Sequence, residues 1–194
     1  MKEIMIPEKQ KIITAQELRK KGFTQYLIRK MADSGTLTKL TKNCYENNEF
    51  QGEESDFYYV KAFVPNGVIC LLSAASYYDL TNYMPEAVDV AIPRKAKVST
   101  MPEKPLMNIH YYTDQRHELG IQTIWEDMND FQIYDIEKTV IDIIFYREKI
   151  GIEEMKEVLT NYLQRSDRDL NKLIRYSRQM KCEKILRRYF EVLI

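Results

Sequence analysis

The chain has 194 residues, 44% hydrophobic and 30% charged, so it suits one large soluble domain or two small ones. Its 29 basic and 29 acidic residues cancel, but unevenly: +4 over residues 1–50, −7 over 51–150 and +3 over 151–194, so only part of the surface suits a polyanion. Apolar runs fall far short of the roughly 20 residues of a membrane span, and no secretory signal is recognisable. Cys44, Cys70 and Cys182, odd in number and widely spaced, read as reduced thiols of a cytoplasmic protein rather than disulfides or metal ligands.

In chain order, Pro7 and Glu8 are expected to open a short helix toward Lys11. Thr14 and Glu17 have the spacing of a capping box, starting a helix that buries Ala15 and Leu18 and leaves Arg19, Lys20 and Lys21 in water. Gly22 ends that helix, Phe23 anchors the turn, and Thr24 caps a second helix with Ile28 and Met31 inward and Gln25, Tyr26, Arg29 and Lys30 outward. Gly35 ends it. Thr36 to Lys39 and Leu40 to Tyr45 follow as two strands of a wing, with Leu37, Leu40 and Tyr45 toward the core. This is the pattern of a winged helix-turn-helix. Between Lys9 and Lys42 there are nine basic residues and two acids, an excess that favours phosphates without regard to sequence. The second helix is of a kind that the major groove admits.

The domain expectation is a winged unit over residues 1–48, a polar linker at about 49–55 and an α+β domain over 56–194, in which a sheet packs on several helices. Asp56 to Phe63 reads as helical and ends at the Pro65-Asn66-Gly67 turn. After Val68 to Leu72 and the small residues Ser73 to Ser76, the alternation of Ala87 to Ile92 predicts a half-buried strand with Asp89 facing outward. Arg94, Lys95 and Lys97 then form a basic tip, a candidate second nucleic-acid contact helped by Arg165, Arg168, Lys172 and Arg175. Asn108 to Tyr112, Gly120 to Trp125 and Phe131 to Ile133 predict further strands of one sheet. From Ile136 the chain reads as helical, with stripes at Val140, Ile141, Ile144 and Phe145; Met155, Val158, Leu159 and Tyr162; Leu170, Leu173 and Ile174; and Ile185, Leu186, Tyr189, Phe190 and Leu193.

The order Gly67-Val-Ile, Ser73-Ala-Ala-Ser76, Tyr78-Asp-Leu-Thr81 and Val90-Ala-Ile-Pro-Arg94 resembles the AbiEi antitoxins of abortive-infection toxin–antitoxin systems. The likeness extends to Ile133–Tyr146, with its Glu137-Lys138-Thr139 turn, and to the N-terminal segment from Gly22 to Glu46. It departs at the wing tip, where Lys42-Asn43 replaces the usual Arg-Gly; asparagine tolerates a left-handed turn there. The resemblance implies a type IV antitoxin that also binds its own promoter DNA, an inverted repeat, as an autorepressor. It further implies antagonism of a co-encoded nucleotidyltransferase-like toxin without a stable complex. The DNA-reading residues would be Arg19, Lys20, Thr24, Gln25, Tyr26, Arg29 and Lys30, with Lys39, Thr41 and Lys42 on the wing.

No catalytic constellation, metal site or cofactor motif stands out. Ser73 lacks the flanking glycines of a nucleophile elbow. His110 and His117, read as a strand and a loop histidine, have no third ligand nearby. Glu154-Met155-Lys156, the one acid-x-Lys triplet a nuclease could use, falls on a helix whose apolar face takes Met155. The Gly-Ser of a nucleotidyltransferase is absent, and Asp167 and Asp169 suit helix capping. A general regulator that senses a ligand in its second domain, a nuclease and a protein-binding adaptor are the competing classes.

Overall fold

The computed structural model describes residues 5–193 and has a mixed α+β architecture, with ten α-helices and two sheets among those residues. It divides into two compact units. The first comprises residues 1–67, 97–106 and 123–131, and the second residues 68–96, 107–122 and 132–194. This division falls elsewhere than the expected linker at 49–55. That stretch is tied down within the first unit: the Gln51 amide donates to the Glu8 carbonyl at 2.7 Å, and Lys11 Nζ reaches Glu54 at 2.7 Å.

In the first unit Pro7 to Gln10 form a turn rather than the expected helix, closed by the Gln10 amide on the Pro7 carbonyl. The turn leads into β1 (Ile12–Thr14), a strand that residue patterning does not announce. Two successive β-branched isoleucines, both fully buried, favour that extended conformation. Next come α1 (Ala15–Lys20), α2 (Gln25–Asp33), β2 (Leu37–Lys39) and β3 (Cys44–Asn47), with strand order β1-β3-β2 and both pairings antiparallel. The capping box is present as expected: the Thr14 amide and hydroxyl donate to Glu17 at 2.7 and 2.6 Å, and the Glu17 amide returns to the Thr14 hydroxyl at 3.1 Å. Burial opposes the charge of the Glu17 carboxylate, but these bonds and the Lys61 charge outweigh it and hold its pKa below the ordinary value. Gly22 and Gly35 take the left-handed backbone that ends each helix, at φ 96° and 82°. Ile6, Ile13, Ala15, Leu18, Phe23, Ile28, Leu37 and Tyr45 form one core, with Met31 packed against it.

The hairpin is shorter than expected, because Leu40 to Asn43 make its turn and Leu40 is only half-buried. Asn43 turns without positive φ; among described non-glycine residues that conformation occurs at Leu71, Asp79, Asp127 and Lys181. Asn47 is fully buried and donates to the carbonyls of Pro7 and Gln10, both at 3.1 Å, which fastens the N-terminal turn to the end of β3. A 3-10 turn (Asp56–Tyr59) and α3 (Val60–Phe63) complete the segment.

The second sheet runs β6-β5-β4-β8-β7, from β4 (Val68–Ile69), β5 (Val88–Pro93), β6 (Met107–Tyr112), β7 (Ile121–Glu126) and β8 (Asn129–Tyr134). The three later strands fall close to where alternation puts them. So does β5, but it is buried on both faces rather than one, and Asp89 lies at 8% exposure instead of in water, meeting His110 of the paired β6. Helices α4 (Leu71–Tyr77), α5 (Asp114–Glu118), α6 (Ile136–Phe145), α7 (Arg147–Ile150), α8 (Ile152–Gln164), α9 (Leu170–Gln179) and α10 (Glu183–Leu193) belong to the second unit, whereas residues 123–131 of β7, its turn and β8 belong to the first. In α8 Met155, Val158, Leu159 and Tyr162 are fully buried, as the stripe predicts, whereas Phe145 of α6 and Leu170 of α9 are 40% and 36% exposed. Leu193 lies outside the residues whose side chains are described.

Helix α6 is buried nearly all round, which its sequence makes demanding: Lys138 and Asp142, one turn apart, are both inaccessible to solvent and form an ion pair. Arg116 of α5 approaches Asp142 Oδ1 at 3.5 Å, and Lys138 Nζ sits 4.0 Å from the centre of the Tyr134 ring. Burial pushes the Asp142 carboxyl up and the Lys138 amine down, while their mutual attraction opposes both shifts. Removing the single anion strands two buried cations. We expect Asp142→Ala to cost about 3–5 kcal/mol in urea denaturation followed by circular dichroism. Thr14→Ala, which removes a helix cap, should cost about 1 kcal/mol.

Candidate nucleic-acid interface

The outward face of α2 is set by its sequence. Thr24 caps the helix by accepting from the Leu27 amide at 3.3 Å, which fixes the register so that Ile28 alone is fully buried, with Leu27 and Met31 half-buried beside it. Gln25, Tyr26, Arg29 and Lys30 consequently face water, and Tyr26 is 74% exposed. A tyrosine held that far into solvent buries little of its ring, so its position is not explained by packing.

Not all nine bases of this segment are free. Lys11 is drawn inward to Glu46 at 3.1 Å and Glu54 at 2.7 Å, and Lys9 pairs with Asp127 at 3.2 Å. The remaining seven, Arg19, Lys20, Lys21, Arg29, Lys30, Lys39 and Lys42, are exposed and make no ion pair among the described residues. Thr24 is exposed and Thr41 half-buried. Of the two acids in the segment, Glu17 is enclosed by the capping box, which leaves Asp33 as the exposed one. The structure therefore gathers the residues singled out on α1, α2 and the β2–β3 turn into one unit, with a larger free excess of positive charge than a paired surface would have.

The other predicted bases fare differently. Arg94, Lys95 and Lys97 are exposed in and after the turn that ends β5. The C-terminal bases expected to assist them are largely engaged. Arg165 holds Asp167 at 2.8 Å and donates to the Tyr78 carbonyl, and Lys172 is drawn to Asp135 and Glu137 at 3.1 and 3.0 Å. Local spacing carries no sign of the Lys172 pairing, because Asp135 and Glu137 lie 37 and 35 positions before it. Asp169 caps α9 by accepting from the Lys172 amide at 2.9 Å, as expected.

The chemistry-bearing residues weighed from sequence have structural partners. The Ser73 hydroxyl accepts from the Asp89 amide at 2.9 Å, and His110 on β6 meets Asp89 Oδ1 at 2.9 Å. His117 is not in a loop but on α5, 8% exposed, with its carbonyl accepting from the Tyr134 hydroxyl. Met155 faces the core, and Lys156 pairs with Glu153. Burial pushes the thiols of Cys44, Cys70 and Cys182 upward, the last to about 11, and all three are free. No helix among the described residues is long and apolar enough to cross a membrane. Sequence reasoning missed Trp125, which it places only at the end of a strand; the indole is 66% exposed near the tip of the β7–β8 hairpin. Its alternation with Ile121 and Thr123 suggests a shared face but not whether that face is covered.

No protein-family model matches this sequence, and no curated protein matches it. Among solved structures, the chain is similar to the crystal structure of the RV2827C protein from Mycobacterium tuberculosis, with 13% identity and a TM-score of 0.45 over 94% of this chain and 75% of that one. At that distance the likeness bears on neither fold assignment nor function.

Because Tyr26, Arg29 and Lys30 stand in water, replacing all three by alanine should leave folding intact. A thermal melt should show a change within about 0.5 kcal/mol per site. A larger loss would mean that this face is packed in solution.

Proposed function

We propose that β1 to β3 with α1 and α2 form a winged helix-turn-helix, with α2 as its recognition helix and the β2–β3 hairpin as its wing. On this reading the chain is an AbiEi-type antitoxin that represses its own promoter. Supporting it, first, is the unpaired basic face: seven exposed bases without ion-pair partners among the described residues, next to an exposed tyrosine and an amide side chain that suit base edges. Second is the sequence resemblance, which runs through both the N-terminal segment and the Ile133–Tyr146 stretch.

Arg29, Lys30, Arg19, Lys20, Lys39 and Lys42 would neutralise phosphates. Thr24, Gln25, Tyr26 and Thr41 would meet groove edges or position the helix on the backbone. Each phosphate neutralised releases condensed counterions, so affinity would fall steeply with salt. The target would be an inverted repeat upstream of the chain's own gene. Arg94, Lys95 and Lys97 would add a second nucleic-acid contact. The second unit would carry the antitoxin activity against a nucleotidyltransferase-like toxin, without a stable complex and without a cofactor.

The two activities should separate by mutation of the intact chain. A cut at residue 56 is unsuitable, because residues 97–106 and 123–131 belong to the same compact unit as the N-terminal segment. Full-length protein with alanine at Gln25, Tyr26, Arg29 and Lys30 should lose repression of a promoter reporter. It should still rescue cells that express the toxin from an unrelated promoter. Loss of rescue together with repression would contradict the division and favour a regulator that restrains the toxin only through transcription.

A further inference from the structure

Trp125 is the only tryptophan in the chain, and it stands two-thirds exposed where β7 meets its turn. The turn is tight: Asp127 and Met128 alone connect β7 to β8, and Asp127 takes φ 52°, which sets the indole on a firm support rather than a loose loop. Trp125 and Met128, the latter 41% exposed, form the apolar wall of a cleft of about 410 Å³. The polar part of the lining comes from Gln10, from Glu17, Lys20 and Lys21 at α1, and from Asp127, all within the first unit.

The cleft is lined by two lysines, Lys20 and Lys21, and two acids, Glu17 and Asp127, and only the acids are engaged within the first unit. Each acid beside it already has a partner. Glu17 accepts from the Thr14 amide and hydroxyl, Asp127 takes Lys9 at 3.2 Å, and Glu126 accepts from the Tyr58 hydroxyl at 2.7 Å. Lys20 and Lys21 are exposed and make no ion pair among the described residues. The cleft thus offers two ammonium groups without ion-pair partners among the described residues, together with apolar side chains, one of which carries an N–H donor. A DNA strand has the matching chemistry, since it alternates apolar deoxyribose with anionic phosphate.

We propose that the β7–β8 hairpin tip is a further DNA contact, seating the sugar–phosphate backbone that flanks the site met by α2. Lys20 and Lys21 hold phosphates, and Trp125 and Met128 lie against deoxyribose. The inference rests on the DNA-binding reading above and extends it. Lys21, the last residue of this cleft along α1, is followed at once by Gly22-Phe23 and by Thr24, which caps α2, so the two surfaces adjoin along the chain.

The single tryptophan makes the test direct. The full chain is titrated with a mixed-sequence DNA duplex at low salt, and indole emission is read beside the anisotropy of the same duplex bearing a label. Emission should change and saturate in step with anisotropy. Lys20→Ala with Lys21→Ala should reduce the slope of log affinity against log salt by about 1.8, at about 0.9 per phosphate. It should also abolish the emission change, and circular dichroism should show the fold retained. If duplex binds in an Arg29- and Lys30-dependent way with no change in emission and no effect of the lysine pair, the hairpin contact is wrong and the α2 reading stands without Lys20 among its phosphate contacts. If no duplex binds at all, both fall. Emission that shifts with protein concentration alone would indicate a self-association surface and would overturn the proposal.

Discussion

Thr14 is at once the last residue of β1, paired with Cys44, and the N-cap of α1. Its bonds with Glu17 therefore fix the angle at which the α1–α2 pair leaves the three-stranded sheet. They also fix a charge. Glu17 is held by the capping-box donors and makes no ion pair with Lys20 or Lys21, and hydrogen bonding keeps it ionised there despite partial burial. One local interaction orients the helices and engages the acid nearest those lysines. Asn47 has a comparable role on the other side of the sheet, holding the turn at Pro7 to Gln10 against the end of β3 through two backbone carbonyls.

The core of the second unit and the helices of the first treat charge differently. In the second, α6 carries a lysine and an aspartate into a solvent-free position and compensates them with Arg116 and aromatic rings; nearby, Glu137 gathers the Tyr162 hydroxyl, the Asp169 amide and Lys172. Those groups specify how α5, α8 and α9 meet α6, and they leave little free charge behind. In the first, most bases of α1, α2 and the hairpin turn have no counter-charge among the described residues. An unpaired basic surface does nothing for the fold and costs some self-repulsion, and the proposed DNA contact would relieve that cost.

Local chemistry is readable from the sequence. The capping box, both terminating glycines, the Thr24 cap and the inward Ile28 depend on residues within a few positions of each other, and all stand as expected. Features that escape such reading depend on partners far along the chain. Alternation places Val88 to Ile92 on a strand but cannot tell that both of its faces are covered, so it sends Asp89 to the wrong environment. Basic residues near the C-terminus look free because Asp135 and Glu137, which hold Lys172, lie outside any local window. The Pro7 helix fails for a different reason: proline suits a first helical turn, but the isoleucine pair after it joins β3, and a turn is all the intervening residues can form. Of the candidate interface, the α2 face and the hairpin bases are legible, whereas the cleft under Trp125 needs two segments more than a hundred positions apart.

On the proposed reading the exposed bases of α2 meet phosphates. Fluorescence anisotropy of a duplex taken from the region upstream of the chain's own gene, titrated with protein across a salt series, measures this directly. The expected result is a steep linear fall of log affinity with log salt, and in Arg29→Ala with Lys30→Ala a slope smaller by about 0.9 for each phosphate no longer neutralised. An affinity and slope unchanged by that double replacement, in protein that melts like the parent, would contradict it.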